Sequence, residues 1–172
     1  MDEIVRISTK TPWEPVAAYS RAVRAGDFVA VSGTTATDEH GTLAGVGQMY
    51  VQARQALTNI QSALERAGLS ISNVIRTRMF VTDITRFEEA ARAHREFFAD
   101  TRPASTMVEV RRLVHPDMLI EIEADAYAPR AGARVTAEPS RGASGAKAAP
   151  APSKPRGKAV KAKSRPAPRG KR

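Results

Sequence analysis

Between Leu119 and Tyr127 acidic and apolar residues alternate: Ile120, Ile122, Ala124 and Ala126 are separated by Glu121, Glu123 and Asp125. A period of two predicts a strand with one face in a core and the other acidic. A carboxylate on such a face does chemistry when it orients a water molecule and takes its proton. Paired with Arg111 or Arg112 on an adjacent strand, the same Glu121 is a cross-strand ion pair worth roughly 0.2 to 1 kcal/mol. Both readings stay open. Tyr19 brings a hydroxyl for a ligand or water, or else the ordinary packing of a half-buried strand tyrosine. Ser32 and Gly33 end the run VAVSG, where glycine lets a ligand approach the main chain or simply closes a strand. Ser105 and Thr106 offer neutral hydroxyl donors suited to a carbonyl or amide, beside the apolar thioether of Met107; alternatively they are β-favourable filling.

Other chemistries lack their residues. Cysteine is absent, which removes disulfides, thiolate nucleophiles and thiolate metal sites. His40, His94 and His115 lie far apart, with no HxxxH spacing, so no metal site is expected. There is no Walker loop, GxGxxG or GxSxG, and no cofactor is expected.

The elements that must position these residues follow from periodicity. Short strands are predicted at Ile4 to Ser8 and Phe28 to Ser32, with Ala18 to Val23 a candidate between them and Gly26-Asp27 a turn. Met49, Ala53, Ala56, Leu57, Ile60 and Leu64 recur at helical spacing within Gln48 to Ala67, and Gly68 stands where a C-terminal cap belongs. Val74 to Thr82 reads as a strand. Thr85 and Glu88 suggest a capping box for a second helix with Phe87, Ala91, His94 and Phe98 on one face. The last strands are predicted at about Ser105 to Leu113 and Leu119 to Tyr127, joined by a turn at His115, Pro116 and Asp117.

Charge divides the chain. Of 27 lysines and arginines, 13 follow Pro129 with one acid, Glu138, so that segment is +12 and the preceding one, with 14 bases and 17 acids, is −3. Residues 129–172 are rich in Ala, Pro, Gly, Lys and Arg and have no aromatic residue, a composition predicting a disordered basic tail after a domain at 1–128. Lys154, Arg156, Lys158, Lys161, Lys163, Arg165 and Arg169 are its candidates for contacts with nucleic-acid phosphates. The start of the chain has no basic segment leading into an apolar run, and no window is apolar enough to span a membrane; a cytoplasmic protein with no membrane partner is expected.

The segment PASTMVEVRRLVHPDMLIEIEADAY, Pro103 to Tyr127, together with Tyr19-Ser20, VAVSGTTA around Gly33 and RTRMFVTDI, resembles the Rid family (YjgF/YER057c/UK114) over nearly all of residues 1–128. The resemblance implies a chorismate-mutase-like α+β fold, two helices packed on one mixed β-sheet, assembled as a homotrimer with ligand clefts between neighbouring chains. It implies imine hydrolysis with Glu121 directing water and Tyr19, Ser32, Gly33, Ser105, Thr106 and Met107 around a small-molecule ligand. The family deaminases carry an arginine where Ser105 stands, the residue that holds the substrate carboxylate; a hydroxyl has neither its charge nor its two-pronged geometry. Arg76, Arg78 and Arg102 are the cations considered as replacements. Three functions are therefore carried forward: a Rid-like hydrolase of imines, enamines or related metabolites that differs from the standard 2-iminoacid deaminases, a non-catalytic ligand-binding or regulatory trimer, and non-specific DNA or RNA binding through the tail.

Overall fold

The computed structural model describes residues 4–9, 11, 13–38 and 40–128. The tail and its seven candidate phosphate contacts lie outside the described residues. The elements are β1 (Ile4–Ile7), α1 (Trp13–Ala17), β2 (Ala22–Ala25), β3 (Phe28–Thr34), α2 (Met49–Arg66), β4 (Val74–Val81), α3 (Phe87–Phe98), β5 (Ala104–Glu109) and β6 (Ile120–Tyr127). Six strands form one sheet in the order β1-β2-β3-β6-β4-β5. All neighbours are antiparallel except β4 and β5, which are parallel and joined through α3. A parallel pair needs such a crossover, because its strand ends lie at opposite edges of the sheet. The mixed sheet with two main helices on one side is the α+β architecture expected from the sequence.

Alternation on β6 decides which face is which. Ile120, Ile122, Ala124 and Ala126 are fully buried against α2, whose Met49, Ala53, Ala56, Leu57, Ile60 and Leu64 are equally buried. Glu121, Glu123 and Asp125 therefore point to the opposite face. The helix α2 ends where its sequence says it should: Gly68 takes φ 78°, a left-handed conformation that glycine adopts without steric cost.

Three local expectations are corrected. Ala18 to Val23 is not a strand. Trp13–Ala17 is a short helix with Pro15 in its first turn, a position where no N–H is needed. Ala18 at φ 54° stops it, and β2 begins only at Ala22. The buried Glu14 carboxylate holds this helix to the preceding loop, accepting from Thr9 N at 3.0 Å and from the hydroxyls of Ser8, Thr9 and Thr11. The second helix does not use Thr85 and Glu88 as a capping box. Asp83 Oδ1 accepts from Thr85 N at 2.9 Å and starts a short 3₁₀ turn, Ile84–Arg86, so α3 begins at Phe87. Its packed face is Ala90, Ala93 and Phe98, with Phe87 half exposed: the small alanines let α3 approach its neighbours and turn the bulkier Phe87 outward. Finally, β5 stops at Glu109, so Arg111 and Arg112 lie in the loop that follows it. Because β6 is inserted between β3 and β4, they are not on a strand adjacent to Glu121; its cross-strand partner on β4 is Phe80.

Candidate active site

Tyr19, Ser32, Gly33 and Glu121 converge on one cavity of about 390 Å³, on the side of the sheet away from α2. Trp13 and Ala17 from α1, with Val114 and Met118 from the β5–β6 loop, supply its apolar walls. That loop is fixed from the core: the buried Gln52 on α2 donates to Asp117 O at 2.8 Å and accepts from Leu119 N at 2.8 Å. Burying an amide is tolerated because both its ends are bonded.

Glu121 sits hard against the β3 backbone. A Cβ placed on Gly33 would lie 2.0 Å from Glu121 Oε1, far inside van der Waals contact. Glycine at 33 is thus required by the carboxylate itself, and β3 is irregular at this point, its register with β6 shifting between Val31 and Thr34. Burial raises the pKa of Glu121 above the ordinary glutamate value, the like charge of Glu123 raises it further, and Arg21 opposes both. A half-buried carboxyl with a raised pKa, facing a cavity, is suited to exchange protons nearer neutral pH than a free glutamate does.

Arg21 is the site residue that the sequence analysis passes over. Its side chain is 8 % exposed and organises the cavity floor. Nη1 donates to Gly33 O at 2.8 Å and to Thr34 Oγ1 at 2.9 Å, while Nη2 donates to Tyr19 Oη at 2.9 Å. Since Tyr19 Oη accepts from the guanidinium, its own proton is left to donate elsewhere. Ser32 is tied back by its Oγ donating to Ser20 O at 2.8 Å. A signal for Arg21 was present: a lone charge in VAAYSRAV, at the entry of a short strand.

Ser105, Thr106 and Met107 do not line this cavity. They lie on β5 at the sheet edge, where Ser105 pairs with Thr77, Thr106 with Arg78 and Met107 with Met79. Thr77 Oγ1, fully buried, bonds Ser105 Oγ at 3.0 Å and His94 Nε2 on α3 at 2.9 Å. Ser105 thus faces the helix layer, as does Met107, which packs on the core; only Thr106 shares the face of Glu121. Burial lowers the pKa of His94. The three arginines considered as replacement cations are elsewhere. Arg78 pairs with Glu123 at 3.4 Å and Asp125 at 3.2 Å, Arg102 Nε donates to Ala99 O at 3.1 Å, and neither they nor Arg76 lines the cavity.

Comparison with known proteins follows the same outline. Residues 9–128 match the Endoribonuclease L-PSP family. The chain is 37% identical over 121 residues to a RutC family protein of Pyrococcus horikoshii, covering 70% of this chain and 95% of that protein. It is 35% identical over 113 residues to 3-aminoacrylate deaminase RutC of Acinetobacter baylyi, covering 66% and 89%. Among solved structures it resembles a Mycobacterium tuberculosis member of the YjgF/YER057c/UK114 family, with TM-score 0.67, 41% identity, and coverage of 73% of this chain and 100% of that one.

Proposed function

The chain belongs to the Endoribonuclease L-PSP family, the YjgF/YER057c/UK114 or Rid proteins, and from that premise we propose that it hydrolyses the C=N bond of a small imine, or of an enamine after tautomerisation, in the Glu121 cavity. The observation that carries this reading is the Glu121 carboxyl held against Gly33, with a raised pKa, across a cavity from the hydroxyl of Tyr19. Glu121 orients a water and takes one of its protons as the oxygen attacks the imine carbon. Glu121 returns that proton to the nitrogen of the carbinolamine formed from the protonated imine, then takes the carbinolamine hydroxyl proton as the C–N bond breaks to give a carbonyl compound and ammonia, which leaves with that proton as ammonium, while the Tyr19 hydroxyl hydrogen-bonds the departing nitrogen. One water is consumed, and the glutamate ends as it began. The similarity to a 3-aminoacrylate deaminase supports the reaction class.

A homotrimer is the assembly we propose, with a neighbouring copy completing the cleft. Trp13 and Val114, on the cavity walls, are 46 % and 66 % exposed, and Phe28 and Val108 are exposed on the open sheet face, a pattern that a second copy covers better than solvent does. The cellular setting proposed from the sequence is cytoplasmic. Among the described residues no helix is long and apolar enough to cross a membrane.

The test is ammonia release from imines generated in situ, by the natural protein and by Glu121→Gln. The variant should lose about 10²- to 10⁴-fold in rate, the usual worth of a positioned acid–base group. Equal rates would leave a binding or regulatory trimer as the better reading. A second activity rests on the +12 charge of residues 130–172. Full-length protein should bind unrelated duplexes and single strands with an affinity that falls steeply with salt, and residues 1–128 alone should bind little. Equal binding by the truncated chain would move that contact onto the folded domain.

A further inference from the structure

A second cavity, of about 180 Å³, is lined by α2 and by the segments that follow β1 and β3. Every described side chain lining it is polar, although α2 is otherwise the wall of an apolar core. The sequence dictates this. Asn59, Ser62 and Arg66, at i, i+3 and i+7, share one face of the helix beside the buried Ile60, Ala63 and Leu64. Asn59 fixes the opposite wall: Nδ2 donates to Thr35 O at 3.1 Å and to Thr37 O at 2.8 Å, while Oδ1 accepts from Gln55 at 2.9 Å. The hydroxyls of Thr35, Thr37 and Ser62 bond no other described residue, and each can donate and accept. Arg66 spends one donor on Ser8 O at 3.2 Å. Asp38 Oδ1 accepts from His40 N at 2.9 Å and Thr42 N at 2.7 Å, which leaves Oδ2. The charges balance: Arg21 and Arg66 are met by Asp38 and by Glu14, whose carboxylate stands behind the hydroxyls of Thr9 and Thr11.

We propose that this cavity is a second ligand site, and that it takes a small neutral polyhydroxylated compound, a polyol or a sugar. The proposal goes beyond the hydrolase reading and does not depend on it. The cavity has the liquid volume of about six waters, at roughly 30 Å³ each. Polar walls hold such water. A polyol replaces it with hydroxyls that donate and accept as water does, and the displaced molecules return to solvent. Asp38 Oδ2 accepts from a ligand hydroxyl, and Arg66 donates to a ligand oxygen. With two cations against two carboxylates no net field favours an ion, and an added anion would meet Asp38. A ligand stripped of hydroxyls would leave the wall groups unpaired, which is how a polar site rejects a deoxygenated analogue.

Ribitol and pentanediol, the same carbon chain with five hydroxyls or with two, are titrated against the full-length protein by calorimetry, with saturation-transfer NMR of the ligand as the second readout. Ribitol should bind at least about tenfold more tightly, the worth of one or two hydrogen bonds. Ser62→Leu keeps a good helix former and fills the cavity with an apolar side chain, so it should abolish ribitol binding; thermal melting shows whether it is folded. Asp38→Asn is the milder variant, since it keeps the oxygen that the turn uses and replaces the other with a donor. It should weaken ribitol by about tenfold. Glu121→Gln should bind ribitol as the natural protein does, whether or not any C=N bond is hydrolysed. Equal affinity for the two probes, no binding of ribitol, or tighter binding of inorganic phosphate than of ribitol overturns the proposal. Ribitol affinity that survives both Asp38→Asn and a folded Ser62→Leu overturns it as well, because the polyol would then sit elsewhere.

Discussion

Two polar clusters flank the middle of the sheet, and they end in opposite ways. Around Thr77 every member is neutral and satisfies another: Ser105 and His94 both bond its hydroxyl, and burial lowers the pKa of the imidazole. Around Arg21 two charged groups, the guanidinium and the Glu121 carboxyl, act on each other through space. The guanidinium spends its bonds on neutral oxygens, and the Glu121 carboxyl is desolvated, pushed up in pKa and wedged against a backbone. A protein selected for stability alone would close the second cluster as it closes the first, so the unclosed one is where function is to be sought. The position that motif comparison singles out, Ser105, belongs to the closed cluster. The residue it passes over belongs to the open one.

The sharpest way to break this contrast is Gly33→Ala. Gly33 is not among the glycines with positive φ, so its backbone accepts alanine, and the new Cβ meets the far end of a side chain and not main chain. Glu121 must swing aside. The expected result is a loss of about 10²-fold in hydrolysis, the scale of a misplaced catalytic group, with a stability change below about 1 kcal/mol. Rates and thermal melting measured on the same preparation check both halves. Full activity in this variant would show that the carboxylate has no fixed place in the reaction.

In the closed cluster the effects should reverse. Thr77→Val removes a fully buried hydroxyl and leaves His94 Nε2 without its partner, which should cost about 1 to 3 kcal/mol in denaturant unfolding. Ser105→Ala removes only the outer, exposed member and should cost about 0.5 kcal/mol or less. Neither should alter ligand affinity in the cavity by more than about twofold. A large functional loss in Ser105→Ala with stability unchanged would return that residue to the site and place it in a cleft completed by a second copy.

How much of this was legible follows from which interactions are local. The α2 stripe from Met49 to Leu64 and the β6 alternation are period signals, and both are found buried as read. Glu121, Gly33, Ser32 and Tyr19 could be gathered because a family pattern spans all four. What a period signal does not carry is strand order. With β6 inserted between β3 and β4, Arg111 and Arg112 are removed from the neighbourhood of Glu121, and alternation on β5 turns Ser105 and Met107 toward the helices. Helix α1 was missed because its anchor, Glu14, draws its donors from a loop with no periodicity. Arg21 was missed because a charge in a short strand is read as surface, whereas here the bulge after Val31 opens a carbonyl and a hydroxyl to receive it.

The smallest effect concerns the proton on Glu121. Its pKa lies above the ordinary 4.5 because of burial first and the Glu123 charge second, with Arg21 pulling the other way. If the carboxylate form is the base, activity rises with pH through that raised pKa. Glu123→Gln removes one of the two upward pushes, so the acid limb of kcat/KM should move to lower pH, and by less than burial moves it up, because Glu123 is the smaller of the two causes. Arg78 loses one partner in this variant but keeps Asp125 at 3.2 Å, which limits disturbance of the strand. Stability has a matching sign. A carboxyl whose folded pKa is raised contributes stability that is complete below the unfolded value and is lost as pH rises through the folded one. Glu123→Gln should therefore flatten the decline in stability above about pH 4.5 that Glu121 causes, a change read by denaturant melts at several pH values. A limb that stays in place when Glu123 is neutralised, yet moves when Glu121 is replaced by aspartate, would mean that burial alone sets this proton and that the acidic face of β6 is only a solvated surface.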